Sequence, residues 1–130
     1  MDLYELKEEQ ERVILVGIQT QETEDAQESL DELEELVKTA GAQAVGRVVQ
    51  LREAMHPGYY VGTGKVEEIR MAVRALDATG IVCDDELTPS QMNNLERELD
   101  CKIMDRTMVI LDIFAARANT SEGKIQVELA

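Results

Sequence analysis

The chain has few aromatic residues. Among its 130 residues there are no tryptophans, one phenylalanine and three tyrosines. This scarcity argues against a nucleic-acid surface built on rows of stacking aromatic rings, and it requires an aliphatic core. Hydrophobic residues nevertheless make up 44% of the sequence and charged residues 31%. That balance, at this length, is typical of one globular domain and is too apolar for a disordered tail.

Basic residues are also in short supply. Thirteen lysines and arginines stand against 27 acidic residues, which gives a formal net charge of −14 and excludes a surface covered with phosphate-binding charge. The deficit is uneven, because residues 1–40 hold 13 of the acids and only three of the bases. A local basic face is therefore expected, if anywhere, within residues 41–130.

Cysteine and histidine are too rare for a disulfide framework or a zinc site. Cys83 and Cys101 are the two cysteines and His56 is the single histidine. We expect both thiols to be reduced and buried within strands. The first eleven residues carry five acids instead of the basic start of a signal peptide, and no apolar run approaches the ~20 residues of a membrane span. We therefore expect a soluble, cytoplasmic protein with no membrane partner.

Apolar runs that suit buried strands alternate with segments of helical periodicity. This alternation predicts an α/β fold, a single domain with a small, mostly parallel sheet flanked by helices. The run 59–61 is a candidate for one further short strand, and Gly80 for the stop of a helix. The predicted strands cover 12–18, 44–51, 81–84 and 101–104, and the predicted helices cover 23–40, 64–78, 88–99 and 106–119.

Helix-terminal signals support this division. Thr88 and Gln91 have the spacing of a capping box, with Pro89 at the first helical position. Gly41 stands where a helix C-cap belongs, and Asp105 precedes the last helix as its cap. The many acids of the first helix are interpreted as a solvated face and not as a cation site.

A glycine-rich turn, Gly62-Thr63-Gly64-Lys65, is the first candidate binding site. It is not a Walker loop, because Tyr59 replaces the first glycine and Val66 replaces the magnesium-binding hydroxyl. Free N–H groups at a helix start together with one lysine can still hold an anion or an RNA phosphate. The favoured alternative is a tight strand-to-helix turn with an exposed lysine.

Two acids, Asp84 and Asp85, directly follow a predicted parallel strand. Acids at the carboxyl edge of such a sheet are candidate Mg²⁺ ligands, as in a receiver-like phosphoacceptor or another phosphotransfer site. Nothing nearby completes a catalytic set, so a structural role is favoured and no catalytic residue is assigned. The basic residues that we consider as RNA contacts are Arg47, Arg52, Lys65, Arg70 and Arg74.

Three ordered blocks resemble the N-terminal domain of the HflX-type GTPases. The first block is Tyr60–Glu68. The second is Asp84–Gln91, followed by Asn94-Leu95-Glu96. The third begins at Asp105-Arg106-Thr107 and continues through Ile110–Ala115, Arg117-Ala118 and Glu122–Ala130. As a set they are highly specific, and the similarity extends over about Arg12 to Ala130.

The resemblance implies a longer parent protein that uses GTP and Mg²⁺. Its partners would be the large ribosomal subunit with its RNA and its own GTP-binding domain, and it would act on stalled or stressed ribosomes. The resemblance divides this chain into an N-terminal extension (1–11), the α/β domain (12–119) and the truncated start of a helical hairpin (120–130). This chain lacks the Walker loop and the other GTP-binding motifs, so we expect no cofactor in it.

Two functions follow from these considerations. The first is a non-catalytic, ribosome-docking and regulatory domain of an HflX-type GTPase. The alternative is an ATP- and Mg²⁺-dependent phosphotransfer domain that uses Asp84, Asp85 and the turn at Gly62–Lys65.

Ile125–Ala130 would form an uncapped helical fragment, so we expect it either to be poorly ordered or to bury its apolar side chains through crystal or homodimer contacts.

Overall fold

The computed structural model describes residues 10–118 and contains four strands and four helices within that range. The strands are β1 (Arg12–Gln19), β2 (Gln43–Leu51), β3 (Gly80–Cys83) and β4 (Lys102–Asp105). The helices are α1 (Ala26–Thr39), α2 (Thr63–Ala75), α3 (Pro89–Leu99) and α4 (Arg106–Ala118). The expectations for residues 1–9 and 119–130, including the C-terminal segment, lie outside the described residues.

The four strands form one parallel sheet in the order β2-β1-β3-β4. The predicted α/β class and single domain are confirmed, and every strand pairing in the described sheet is parallel. Alternate residues of β1 point to opposite faces, so Ile14 and Val16 enter one core cluster while Val13 and Leu15 enter the other. We call these layers the α2/α3 face and the α1/α4 face.

The ends of several elements differ from the predictions for local reasons. Helix α1 begins at Ala26 because the Asp25 carboxylate accepts the Gln27 N–H at 2.9 Å and caps it. Helix α2 ends at Ala75, since Asp77 adopts a left-handed conformation with φ of 51°. The run 59–61 is not a strand, because Tyr60 has a φ of 68° and forms an isolated antiparallel bridge with His56.

Two further expectations need correction. Gly80 does not end a helix but begins β3, and a Cβ there would lie 2.5 Å from the Lys102 carbonyl oxygen of β4. Cys83 is fully buried, as expected, whereas Cys101 is half-buried and precedes β4. The predicted capping box at Thr88 and Gln91 is confirmed.

The remaining caps also follow the sequence. Gly41 has a φ of 94°, and Asp105 caps α4 by accepting the Met108 N–H at 2.9 Å. Within residues 10–118, no helix combines the length and apolar character that a bilayer crossing requires.

Candidate functional site

All four strands end at the same edge of the sheet, which we call the carboxyl edge. The strand order reverses between β1 and β3, and parallel α/β sheets usually bind ligands beside such a reversal. The sequence candidates Arg52, Asp84, Asp85 and the turn 62–65 all follow strands or loops at this edge. The contacts of these residues show which groups are available to a ligand.

Asp84 is held by an arginine from the third motif block. Its carboxylate oxygen Oδ1 accepts hydrogen bonds from Arg106 Nη2 at 2.7 Å and Nε at 3.0 Å. The Asp84 side chain is only 11% exposed. Burial by itself would lower the pKa of Arg106, but the hydrogen bond and charge of Asp84 outweigh it and raise that pKa. The same guanidinium donates to the Ser29 carbonyl at 3.0 Å, which joins β3 to α1.

Asp85 is held by a tyrosine from the first motif block. The Tyr60 hydroxyl donates to Asp85 Oδ2 at 2.5 Å, and the tyrosine is fully buried. Burial raises the pKa of Tyr60 far above its usual range, and the neighbouring Cys83 and Asp85 add to the rise. The phenol therefore remains a protonated donor to the carboxylate at any physiological pH.

Asp105 completes the connection between the second and third blocks. It is 3% exposed, and its Oδ2 accepts the Leu87 N–H at 2.9 Å while its Oδ1 caps α4. Both carboxylate oxygens of this buried side chain therefore accept a backbone N–H. The three motif blocks, far apart in sequence, therefore meet at the carboxyl edge through direct hydrogen bonds.

The loop 52–62 is fastened to the first turns of α3. Gln91 Nε2 donates to the His56 carbonyl at 2.9 Å, and Asn94 Nδ2 donates to the Gly58 carbonyl at 2.9 Å. Within the loop, His56 Nδ1 accepts the N–H groups of Gly58 and Tyr59 at 3.0 and 3.1 Å. These bonds fix the loop that leads into α2.

The start of α2 lies beside an arginine. Gly62 is its N-cap and donates its N–H to Gln50 Oε1 at 2.8 Å, while Thr63 and Gly64 are exposed. A Cβ at Gly62 would lie 2.8 Å from Arg52 Nη1, so glycine permits this close approach. The site combines a guanidinium with the positive end of a helix dipole. Lys65 instead pairs with Glu68 at 2.7 Å.

The other basic candidates differ in their partners. Arg47 pairs with Asp31 at 2.7 Å and with Glu34 at 3.2 Å, and the hydrogen bond to Asp31 is the main cause that raises its pKa. Arg70 donates to the Glu98 carbonyl at 2.7 Å and also pairs with Glu67, which ties α2 to the end of α3. Within residues 10–118, Arg52 and Arg74 form no ion pair.

The crevice between the ends of β1 and β3 is acidic. It encloses about 410 Å³ and opens toward the first turns of α1. Among the described residues, no group of three or more His, Cys, Asp or Glu side chains is arranged to hold a metal ion. The negative field in this crevice repels phosphate groups. Its acidic lining residues are Glu24, Asp25, Glu28, Glu32, Asp84 and Asp85.

Sequence reasoning assigned no site role to the residues that organise this edge. Most of them lie within the motif blocks, so the resemblance contained a signal, whereas Gln50 and His56 precede the first block. Spacing alone did not reveal the bonds between blocks. The organising residues that were missed are Gln50, His56, Tyr60, Gln91, Asn94, Asp105 and Arg106.

The chain is similar in sequence to known proteins. A family model described as "GTP-binding GTPase N-terminal" matches residues 27–115. The chain is 69% identical over 129 residues to GTPase HflX of Lacrimispora saccharolytica, covering 99% of this chain and 30% of that protein. It is 48% identical over 120 residues to GTPase HflX of Escherichia coli, covering 92% of this chain and 28% of that protein. The chain therefore spans about 30% of the length of these curated relatives.

Solved structures share the fold. A GTP-binding protein from Sulfolobus solfataricus in complex with GDP superimposes with a TM-score of 0.62 at 22% identity, covering 90% of this chain and 35% of that chain. A second structure, of SsGBP with GDP, gives a TM-score of 0.64 at 22% identity, covering 92% of this chain and 33% of that chain. At this level of identity the likeness concerns the fold alone.

Proposed function

Because this chain belongs to the GTPase HflX family and forms its N-terminal domain, we propose that it is a non-catalytic docking and regulatory module. In this proposal it brings the parent GTPase onto the RNA of the large ribosomal subunit, at stalled or stressed ribosomes in the cytoplasm. It also restrains the parent's GTP-binding domain, which is the part that handles GTP and Mg²⁺.

The observation that carries the proposal is the way the motif blocks bind one another. Asp84 accepts from Arg106, Asp85 accepts from Tyr60, and Asp105 accepts the Leu87 N–H. Carboxylates engaged in this way hold a surface in one shape. A rigid surface suits docking, since little side-chain freedom is lost on binding.

The proposed RNA contact is the guanidinium of Arg52 together with the start of α2. The exposed Thr63 and Gly64 lie in the first helical turn, where backbone N–H groups favour a phosphate. Arg74 adds an exposed positive charge further along the same helix. Arg47, Lys65 and Arg70 are less suited because each already pairs with a carboxylate.

Charge also selects the side that faces RNA. The acidic crevice opens beside α1, on the α1/α4 face, whereas Arg52 and the start of α2 belong to the opposite layer. Phosphates would be repelled from the first side and attracted to the second. The α2 side is therefore the proposed docking side.

Co-sedimentation with large ribosomal subunits tests this orientation. The full-length parent protein would carry Arg52→Ala, Arg74→Ala or both, and Arg97→Ala would serve as a matched loss of an exposed arginine on α3. We expect the double variant to bind at least tenfold more weakly and with a reduced salt dependence, while Arg97→Ala binds like the wild type. Wild-type binding by the double variant would refute the proposed contact.

Calorimetry of the chain with Mg²⁺ and ATP separates this proposal from the phosphotransfer alternative. The pairing of Asp84 with Arg106 supports docking, because a carboxylate that holds an arginine is a poor Mg²⁺ ligand. We expect no tight binding. Micromolar binding that disappears in Lys65→Ala would instead establish nucleotide handling at the turn 62–65.

A further inference from the structure

Strand β2 lies at one edge of the sheet, and within residues 10–118 no other strand pairs with its outer side. Arg52 N–H donates to the Gln19 carbonyl of β1 at 3.0 Å. Because backbone groups alternate in direction along a strand, Gln50 and Val48 also direct theirs toward β1. Arg47, Val49 and Leu51 therefore direct their N–H and C=O groups away from the sheet, and we call this stretch the open edge.

The features that usually protect an edge strand from pairing, such as a bulge or a proline, are not found between Arg47 and Leu51. The register shift opposite Val13 and Ile14 disturbs only the beginning of the strand. The open edge contains no proline, and the Arg47 side chain turns toward α1. Within residues 10–118, no hydrogen bond reaches the outward backbone groups of Arg47, Val49 or Leu51. Such an edge is a template for strand addition.

The opposite end of the sheet is less suited to this role. Strand β4 has four residues, whereas β2 has nine. The open edge also offers apolar surface, since the Leu51 side chain is 80% exposed. An added strand could therefore form several bonds to β2 and cover Leu51 at the same time.

The charge beside the open edge selects the partner. Asp31 and Glu34 of α1 share the guanidinium of Arg47, and Glu34 and Glu35 share the ammonium of Lys38. Three carboxylates thus face two cations, which leaves net negative charge on the α1/α4 face. A second copy added antiparallel to β2 would bring two acidic α1 helices to one face, and each copy carries a formal charge of −14. Repulsion between the two acidic helices would oppose this pairing. A basic segment is attracted instead.

We propose that the open edge accepts an extended segment of a partner protein as a fifth strand, with lysine or arginine at alternate positions facing α1. Backbone hydrogen bonds hold the segment, and Asp31 and Glu34 select its charge. This contact is with protein, and it is separate from the RNA contact proposed for Arg52 and α2.

Residue-resolved amide exchange of the chain tests the geometry. The probe is an eight-residue peptide of alternating lysine and threonine with blocked ends. Without peptide, we expect the amides of Arg47, Val49 and Leu51 to exchange rapidly while those of Val48 and Gln50 are protected. At saturating peptide, the outward amides should slow by at least tenfold. Protection before the peptide is added, or no change after it, would overturn the proposal.

Matched peptides separate strand addition from simple charge attraction. The same peptide N-methylated at alternate residues keeps its charge but loses its hydrogen bonds along one edge, and we expect its affinity to fall at least tenfold. A version with glutamate in place of lysine should not bind. Equal binding by the N-methylated peptide would mean charge attraction alone and would refute the fifth strand.

Variants of the chain complete the test. Val49→Pro removes an outward N–H without removing a bond to β1, so it should abolish peptide binding. If this variant does not fold, the N-methylated peptide decides. Asp31→Asn combined with Glu34→Gln should weaken binding and reduce its salt dependence. A concentration-dependent dimer of the wild type that Val49→Pro abolishes would show that the edge receives a second copy, and would refute the basic partner.

Discussion

The two faces of the sheet are closed to different degrees. On the α2/α3 face, Tyr60, Ile69 and Leu95 are at most 1% exposed, and the loop 52–62 is bonded to α3. On the α1/α4 face, α1 buries its apolar stripe, but α4 leaves Leu111 60% exposed and Phe114 59% exposed. Helix α2 leaves Met71 65% exposed but buries Val66 and Ile69, whereas Val109 is the one buried residue among the described side chains of α4.

This difference separates what holds the domain together from what it offers to others. The α2/α3 face and the carboxyl edge contain the bonds between motif blocks, so they define the shape of the domain. The exposed apolar side chains of α4 contribute little to the free energy of unfolding, because only apolar surface removed from water on folding adds to it. The following predictions test whether stability follows this division, beginning with the largest effect.

Paired truncations in β1 compare the two cores directly. Ile14 and Leu15 are adjacent, fully buried and directed to opposite faces. We expect Ile14→Ala to lower the free energy of unfolding by about 3–5 kcal/mol and Leu15→Ala by about 2–3 kcal/mol, because the less closed α4 side can relax into the cavity. Urea denaturation measures both, and equal losses would remove the energetic difference between the faces.

Arg106→Met breaks the contact that joins α4 and α1 to the end of β3. It leaves the Asp84 carboxylate, which is 11% exposed, without its guanidinium partner. We expect a loss of about 2–3 kcal/mol, less than for a fully buried pair because Arg106 is 22% exposed. Asp84→Asn added to Arg106→Met should recover part of the loss in a double-mutant cycle. Arg97→Met is the control for removing an arginine, with a loss below about 0.5 kcal/mol.

Tyr60→Phe tests the bond between the first two motif blocks at nearly constant volume. Removing the hydroxyl takes a donor from Asp85, and we expect a loss of about 1.5 kcal/mol, typical of a hydrogen bond to a charged group. Thermal and urea unfolding give the value. In the Asp85→Asn background the same change should cost less, and an unchanged cost would mean that the hydroxyl stabilises the loop by another route.

The pH dependence of the free energy of unfolding tests the burial of Cys83 on the α2/α3 face. Burial raises the pKa of the Cys83 thiol well above its ordinary value, and Asp105 and Asp85 add to the rise. In the unfolded chain this thiol ionises near its ordinary pKa, so the folded state binds more protons above that pH. The contribution of this thiol to stability is therefore fully present below that ordinary pKa and is lost as the pH rises above it. Cys83→Val should reduce the slope measured between pH 9 and 10, whereas an unchanged slope would exclude Cys83 as its source.

Phe114→Ser should have the smallest effect. The ring is 59% exposed on α4, so its removal takes little surface out of the described core. We expect the free energy of unfolding to change by less than about 0.5 kcal/mol. A loss above about 1.5 kcal/mol would mean that α4 is covered in solution, and the contrast between the two faces would then disappear.

The sequence allowed the elements to be predicted because their signals are local. Helical periodicity, the Thr88 capping box and Gly41 all act within a few residues, and the structure has them as expected. The misplaced helix ends have local causes, whereas the error in the run 59–61 involves a distant contact. Tyr60 is an example: an aromatic residue in an apolar run favours a strand, but its hydroxyl bond to Asp85 accompanies a left-handed backbone.

The candidate site was predicted less completely than the fold. The position of Asp84 after a strand placed it correctly at the carboxyl edge, since parallel strands share that edge. Its partner could not be derived from spacing, because Arg106 follows a different strand and donates across the edge. Which backbone N–H and C=O groups of β2 point away from the sheet likewise depends on the register shift opposite Val13 and Ile14. This shift leaves no mark in the sequence pattern.

The strand order has a consequence for the nascent chain. The central strand β1 is synthesised first and the peripheral strand β4 last, and Arg106 follows directly after β4. Until Arg106 has left the exit tunnel, Asp84 lacks its guanidinium and α1 lacks its link to the end of β3. An emerging chain can pair β1 with β2 early, but the carboxyl edge closes only after nearly the whole domain has been made. Translation itself thus sets the order in which the two halves of this sheet acquire their final shape.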